Sequence, residues 1–414
     1  MPEKKKSVVP PLRFPEFRDA GEWEVKAIVD LAEKIAQGGT PSTTNPAYWN
    51  GGIPWVTPAE MGNDAAHHYL MTTNRNISKL GLENSSAELL PPNSVIISSR
   101  APIGYVAINK VPMATNQGCK GIIPNNSVYY EFLYFSLINA KRMLNDLGAG
   151  AGFKELSSGV LRSFRLPVPQ VGEQQKIADC LSSLDEVIDL EAQKLEALKA
   201  HKKGLMQQLF PSEGKTTPSL RFPEFRDAGE WEEKNGDIVF QQMTNKKHKS
   251  DLPVLAITQE HGAIPRSLID YHVSVSQESL KSYKVVEPGD FIISLRTFQG
   301  GIEYSIYRGI CSPAYIVLRK RIIINDLFFK HYFKTEAFIK QLNKNLEGLR
   351  DGKLVSFKQF SELLLPYPPL PEQQKIADCL SSLDEVINLQ TQKLDALKAH
   401  KKGLMQQLFP SEVD

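Results

Sequence analysis

No group of residues in this sequence has the spacing of a catalytic centre. Cofactor-binding glycine loops sit between a strand and a helix N-terminus, whereas the one glycine-rich run, Gly148–Gly152 (GAGAG), follows an expected helix and reads as a turn. There is no P-loop, no methyltransferase-type Asn-Pro-Pro-aromatic motif and no cluster with metal-ligand spacing, and His67 and His68 read as loop surface. Neither catalytic nor metal-binding residues are therefore expected. What the chain does carry is loops rich in hydroxyl, amide and cationic side chains. In the first half these are Thr40, Ser42, Thr43, Thr44, Arg100, Asn116, Gln117, Lys120 and Lys154. In the second they are Lys246, Lys247, Lys249, Arg296, Thr297, Gln299, Arg350, Lys353 and Lys358. Side chains of these types reach base edges in a groove or hold phosphates, which makes them the candidates for nucleic-acid contact. The competing reading of each is an ordinary solvated loop residue, or a cap for Ser and Thr. Arg100 and Arg296 stand out because both follow a β run, where a side chain leaves the sheet end.

These loops hang on a duplicated frame. The segment EQQKIADCLSSLDEVIDLEAQKLEALKAHKKGLMQQLFPSE, residues Glu173–Glu213, returns as Glu372–Glu412 with only Asp189/Asn388, Glu191/Gln390, Ala192/Thr391 and Glu196/Asp395 differing. A period this long is no solenoid and marks a duplicated domain with its connector. Each copy reads as one long helix with a seam at steps of three or four residues. The first seam is Ile177, Leu181, Leu184, Ile188, Glu191, Leu195, Leu198, Lys202, Leu205, Leu209, and the second is Ile376, Leu380, Leu383, Ile387, Gln390, Leu394, Leu397, Lys401, Leu404, Leu408. Pro169 and Pro368 lie upstream, and Pro211 and Pro410 stop the far ends. A helix of about 38 residues is a rod of roughly 57 Å.

Connectivity gives the pairing. RFPEFRDAGEWE stands at Arg13–Glu24 and again at Arg221–Glu232. The second instance follows the first helix directly, while the first has no helix before it. An antiparallel pair of helices brings the end of the second beside the start of the chain, which closes the molecule into a pseudo-two-fold ring. The competing arrangement is two independent amphipathic helices, each packed on its own domain. An antiparallel crossing would place Glu191, near the middle of its helix, by Gln390, where polar seam residues fix register; the alternative there is a locally hydrated splay. Lys202, Lys203, Lys401 and Lys402 are expected to snorkel, with phosphate contact as the second reading.

Composition is that of an ordinary globular protein: 41% hydrophobic, 23% charged, net charge +2 over 414 residues. No global basicity announces nucleic acid, so any such surface is local. Cys119, Cys180, Cys311 and Cys379 lack Cys-x-x-Cys spacing and read as small buried thiols of a reducing compartment. No uncharged run of membrane-spanning length occurs, and the start MPEKKKSVVPP lacks the apolar core of a signal peptide. The expected location is a reducing cytoplasm.

Along the chain, residues 1–12 read as a disordered basic lead and close an N-terminal arm at 1–24. A variable domain follows at 25–166, then the first repeat helix at 167–212, a linker with the repeated strap at 213–232, a second variable domain at 233–366 and the second helix at 367–414. The first domain shows strand-like Ser94–Ser99 and Tyr105–Asn109 and a helix near Val128–Leu147. The second has the same plan in different residues: Val285–Ile306 matches Leu89–Ile108, Ile310–Leu318 matches Met113–Ile123, and Leu327–Leu346 is the equivalent helix. The fold class is α+β, with mostly antiparallel sheets in the two domains, separated by the helix pair. Near-identical connectors thus hold two domains of shared plan and divergent surface.

The layout of variable domain, long helix, variable domain, long helix resembles the specificity subunits of type I restriction-modification enzymes. The motifs that carry this resemblance are LRFPEFRDAGEWE, GGTPSTTNPAYWNGGIPWVT, SSRAPIGYVAI with ATNQG, and LPPLPEQQKIADCLSSLDEVI, whose first copy reads VPQVGEQQKIADCLSSLDEVI. The resemblance implies that each variable domain is a target recognition domain reading half of a bipartite site in double-stranded DNA. It implies that the helices set the spacer and dock two modification (methyltransferase) subunits, through which restriction subunits join. S-adenosylmethionine, ATP and Mg then belong to those partners, and this chain binds no cofactor. The first helix start departs from the Pro-Pro-Leu-Pro pattern with Pro169-Gln170-Val171-Gly172, so the two starts need not meet a partner identically. Two rivals are a self-sufficient nuclease or methyltransferase and a tandem scaffold for protein or glycan without DNA specificity. The scaffold predicts no salt-sensitive affinity for duplex DNA, whereas the favoured reading does.

Overall fold

The computed structural model describes residues 8–61, 69–100, 102–148, 155–248, 251–269, 276–344 and 355–410. Its contacts divide into two compact units, Met1–Gln193 with Thr391–Asp414 and Lys194–Gln390, so each long helix changes unit along its length. The helices are Val171–Leu209 and Leu370–Leu408, 39 residues each. Every apolar residue of the two expected seams is buried or half-buried.

The direction of pairing is visible inside the first unit. Lys401 donates to Asp185 and Lys393 donates to Glu191 at 2.5 Å. As the number rises along the first helix its partner's number falls, which is an antiparallel pair. In the second unit Lys202 Nζ donates to Asp384 Oδ1 at 2.5 Å, and Leu209 and Phe210 share a core with Ile376, Ala377 and Leu380. The seam lysines differ from the snorkelling expectation: Lys202 and Lys401 are largely covered and meet carboxylates of the facing helix, whereas Lys203 reaches solvent and pairs with the exposed Glu336 at 2.7 Å. A carboxylate within reach makes charge-assisted hydrogen bonds that solvent exposure would screen.

The repeated strap docks in both units through the same atoms. Leu12 N donates to Gln407 O at 2.9 Å in the first unit, and Leu220 N donates to Gln208 O at 3.0 Å in the second. Arg13 grips Glu173 with Nε and Nη2, both at 2.7 Å, and gives Nη1 to Gly21 O at 2.6 Å. Arg221 repeats this on Glu372 at 2.6 and 2.7 Å and on Gly229 O at 2.5 Å. Gly21 and Gly229 both have φ of +76°, a left-handed conformation that glycine adopts without strain. The chain is held earlier than expected of a disordered lead: Val8 packs on the first core and its carbonyl accepts Trp23 N at 2.8 Å.

The next residue of the repeat fastens each sheet domain to its helix. Gln174 Oε1 accepts Tyr129 N at 2.7 Å while its Nε2 donates to Ser127 O and Pro169 O. Gln373 does the same with Asn325 N at 2.9 Å and Pro368 O at 2.8 Å. Strands Glu24–Ala27 and Arg165–Val168 pair antiparallel where the first domain joins the helix, and Glu232–Asn235 pairs with Leu364–Tyr367 in the second.

Each domain has its own central sheet. In the first its order is Ala32–Gln37, Cys119–Pro124, Val95–Ser98, Val106–Asn109 and Tyr69–Leu70, antiparallel except for the last pair. In the second it is Phe240–Met243, Ile316–Lys320, Phe291–Ile293 and Glu303–Tyr304, antiparallel throughout. The first domain adds a small sheet of Asn76–Ile77, Trp49–Val56 and Ala114–Thr115. The two expected long helices are each broken. The first is Tyr130–Asn139 and Lys141–Leu147, interrupted at Ala140 with ψ of 5°. The second is Asp326–Tyr332 and Glu336–Lys344, restarted where Thr335 Oγ1 accepts Phe338 N, so that Phe338 and Leu342 turn back into the core. Of the GAGAG run, Gly148 ends the helix, its N donating to Leu144 O at 3.1 Å, and the remainder lies outside the described residues, as do His67 and His68.

Candidate nucleic-acid interface

In the first unit two glycines bring the polar loops together. A side chain on Gly38 would collide with Asn116 O, and one on Gly39 with the backbone of Ser86 and Ala87. The loop Thr40–Thr44 therefore lies on the turn Asn116–Gln117, and Gly39 N donates to Thr115 O at 2.8 Å. Thr40 donates to Gln117, and Ser42 Oγ and Thr44 Oγ1 are hydrogen bonded at 2.9 Å. Thr40, Ser42, Thr43, Thr44 and Gln117 are exposed, whereas Asn116 is half-buried and its Oδ1 accepts Gly118 N at 2.9 Å. Trp49 and Trp55 meet edge to face at 5.1 Å beside this loop, with Trp49 Nε1 donating to Ser42 O and Trp55 Nε1 to Gly39 O. Arg75 lays its guanidinium over Trp49 at 3.9 Å.

Arg100 and Arg296 occupy matching places, just past the central strands Val95–Ser98 and Phe291–Ile293. Arg100 is half-exposed with Nε 3.4 Å from Glu155 Oε1, and its backbone bridges Glu155. Arg296 is exposed at the start of the short turn Thr297–Gly300, where its carbonyl accepts Gln299 N at 2.9 Å. Two candidates face inward instead. Lys120 is 5% exposed within the sheet, where burial pushes its ammonium pKa down, Glu155 opposing and Arg100 adding to the shift. Thr297 is 1% exposed, and its hydroxyl accepts Ser294 N at 2.7 Å, closing the turn. Both consequences follow from strand and turn positions that their polar side chains do not announce.

Elsewhere in the second unit, Lys246 and Lys247 are exposed on a loop held by Asn245, whose Oδ1 accepts Lys247 N at 2.9 Å. Gln299 is exposed, as is Lys358 on the short helix Phe357–Ser361 capped by Ser356. Lys154, Lys249, Arg350 and Lys353 lie outside the described residues. Arg75 escaped the sequence reading: an isolated arginine in a polar run has no motif, and only the fold sets it on two tryptophans. The two units thus offer different polar surfaces on the same sheet plan.

Among the described residues, no group of three or more His, Cys, Asp or Glu is placed to hold a metal ion, and no helix is long and apolar enough to cross a membrane. Cys119 and Cys311 are buried free thiols, and burial raises both, Cys311 to about 12.

A family model described as the type I restriction modification DNA specificity domain matches residues 20–200 and again 221–399. The specificity subunit of the type I restriction enzyme MjaIX from Methanocaldococcus jannaschii is 30% identical over 419 residues, covering 95% of this chain and 94% of that one. The type I restriction-modification S subunit from M. genitalium has a similar fold, with a TM-score of 0.59 at 16% identity, covering 98% of this chain and 100% of that one. A chain solved for the structural basis of complex assembly and conformational transition of the type I R-M system follows with 0.55 at 17% identity, covering 94% and 98%.

Proposed function

This chain belongs to the type I restriction modification DNA specificity family, and from that premise we propose how it acts: as a non-catalytic DNA-recognition subunit whose two domains each read half of a bipartite, asymmetric site. The observation that carries this reading is the contrast within the repeat. The docked strap, the two-point Arg–Glu clamp and the glutamine that ties each sheet domain to its helix recur in both units, whereas the exposed polar loops do not. A frame kept constant around two different surfaces suits two readers of different sequence.

In the first unit the reading surface is Thr40–Thr44 with Gln117 and Arg100; in the second it is Lys246, Lys247, Arg296, Gln299 and Lys358. Side chains of these types make base-edge and phosphate contacts. The residues 25–166 and 233–366 act as the two target recognition domains, and 167–212 and 367–414 as the spacer helices. The first helix leaves Val187 and Leu190 exposed, at 42% and 64%, and the second leaves the equivalent Val386 and Leu389 exposed, at 44% and 63%. Apolar side chains exposed at the same two positions of each helix support docking of one modification subunit per helix. Restriction subunits join through these, and S-adenosylmethionine, ATP and Mg are bound by the partner subunits, all in the cytoplasm.

Methylome sequencing of the source strain with and without this chain tests the proposal. One class of bipartite methylated sites disappears on deletion and returns on complementation; an unchanged methylome contradicts it.

A further inference from the structure

We infer that Arg75 reads a guanine in the half-site of the first unit, an assignment that rests on the DNA-recognition reading above. Its backbone is fixed by the small sheet, since Trp55 N donates to Arg75 O at 3.0 Å next to the Pro54–Asn76 strand pairing. Its guanidinium is fixed by stacking, 3.9 Å from the Trp49 ring centre and 5.3 Å from that of Trp55. The rings are themselves held: Trp55 is 4% exposed, and both indole N–H groups donate to loop carbonyls, Ser42 O at 3.0 Å and Gly39 O at 2.9 Å.

This support has no structural debt to settle. Arg13, Arg221 and Arg319 spend their planar forks on Glu173, Glu372 and Asp290. Arg75 is exposed, and among the described residues no carboxylate pairs with it and no oxygen accepts from it. A cation–π contact uses the face of the guanidinium and leaves the N–H donors around its rim unspent. Holding a phosphate needs only a point charge on a mobile stem. A fork seated on the Trp49 ring, whose indole N–H is itself held by the Ser42 carbonyl, suits the O6 and N7 acceptors of guanine, and part of its ordering entropy is removed before binding.

The test uses the chain co-expressed with its modification and restriction subunits in a methylation-free host, read by methylome sequencing. The wild type gives a bipartite motif, and exchange of residues 25–166 identifies the half read by the first unit. R75A is expected to relax one guanine of that half to any base, leaving the other half and the gap unchanged. The purified complex then discriminates at that position on the order of ten- to a hundredfold less. R75K, which keeps charge and perturbs folding least, is expected to relax the same position. A half without guanine, an unchanged R75A motif, R75K retaining full discrimination, or uniform weakening of all sites overturns the assignment. A wild type that confers no bipartite motif overturns the recognition reading itself.

Discussion

Glu173 accepts Nε and Nη2 along one edge of the Arg13 guanidinium and, at 3.3 Å, the indole N–H of Trp23, with its side chain only 1% exposed. Glutamine in its place keeps the shape but strands a buried guanidinium without its counter-charge. E173Q is expected to cost about 3–5 kcal/mol, as breaking a buried pair does, and E372Q about the same. Urea unfolding checks this; a loss under about 1 kcal/mol for both would make the clamp superficial. The paired Arg and Glu were legible as repeated letters, but their meeting across 160 residues was not, because a sequence shows spacing and not tertiary approach. The same blindness hid Lys120 in a strand and Thr297 in a turn, and left Arg75 unremarked. Polarity marks a residue as able to bind, while the fold decides whether its donors reach solvent or are used by the backbone.

The long helices were the most legible elements, since their seam repeats over many turns and the proline stops are unambiguous. Their direction followed from where the strap recurs, and the ion pairs of Asp185 and Glu191 run in that direction. The shorter helices were read too long because Ala140 and Thr335 interrupt them without Pro or Gly. Thr335 breaks its helix by hydrogen bonding, which propensity alone does not reveal. If the seam sets the distance between half-sites, helix length is a ruler. Removing one heptad from each helix shortens the rod by about 10 Å, or roughly three base pairs. The spacer of the methylated motif is then expected to contract while both half-sites keep their bases. Motif analysis of that variant checks this, and an unaltered gap defeats the ruler.

At the scale of the molecule, duplication does two jobs. Near-identical straps, clamps and seams let one sequence segment serve both units, and the absence of such identity between the sheet domains lets each recognise something different. That division was visible from the sequence, because repeats are found by comparison and need no folding. Which bases each surface meets was not, since base readout depends on angstrom-scale placement of a few exposed side chains. The central claim is that one domain reads one half. Its most direct measurement is methylome sequencing after residues 25–166 are exchanged for the corresponding segment of another specificity subunit. The account predicts a new sequence in one half-site, with the other half and the gap between them retained; change in both halves together would contradict it.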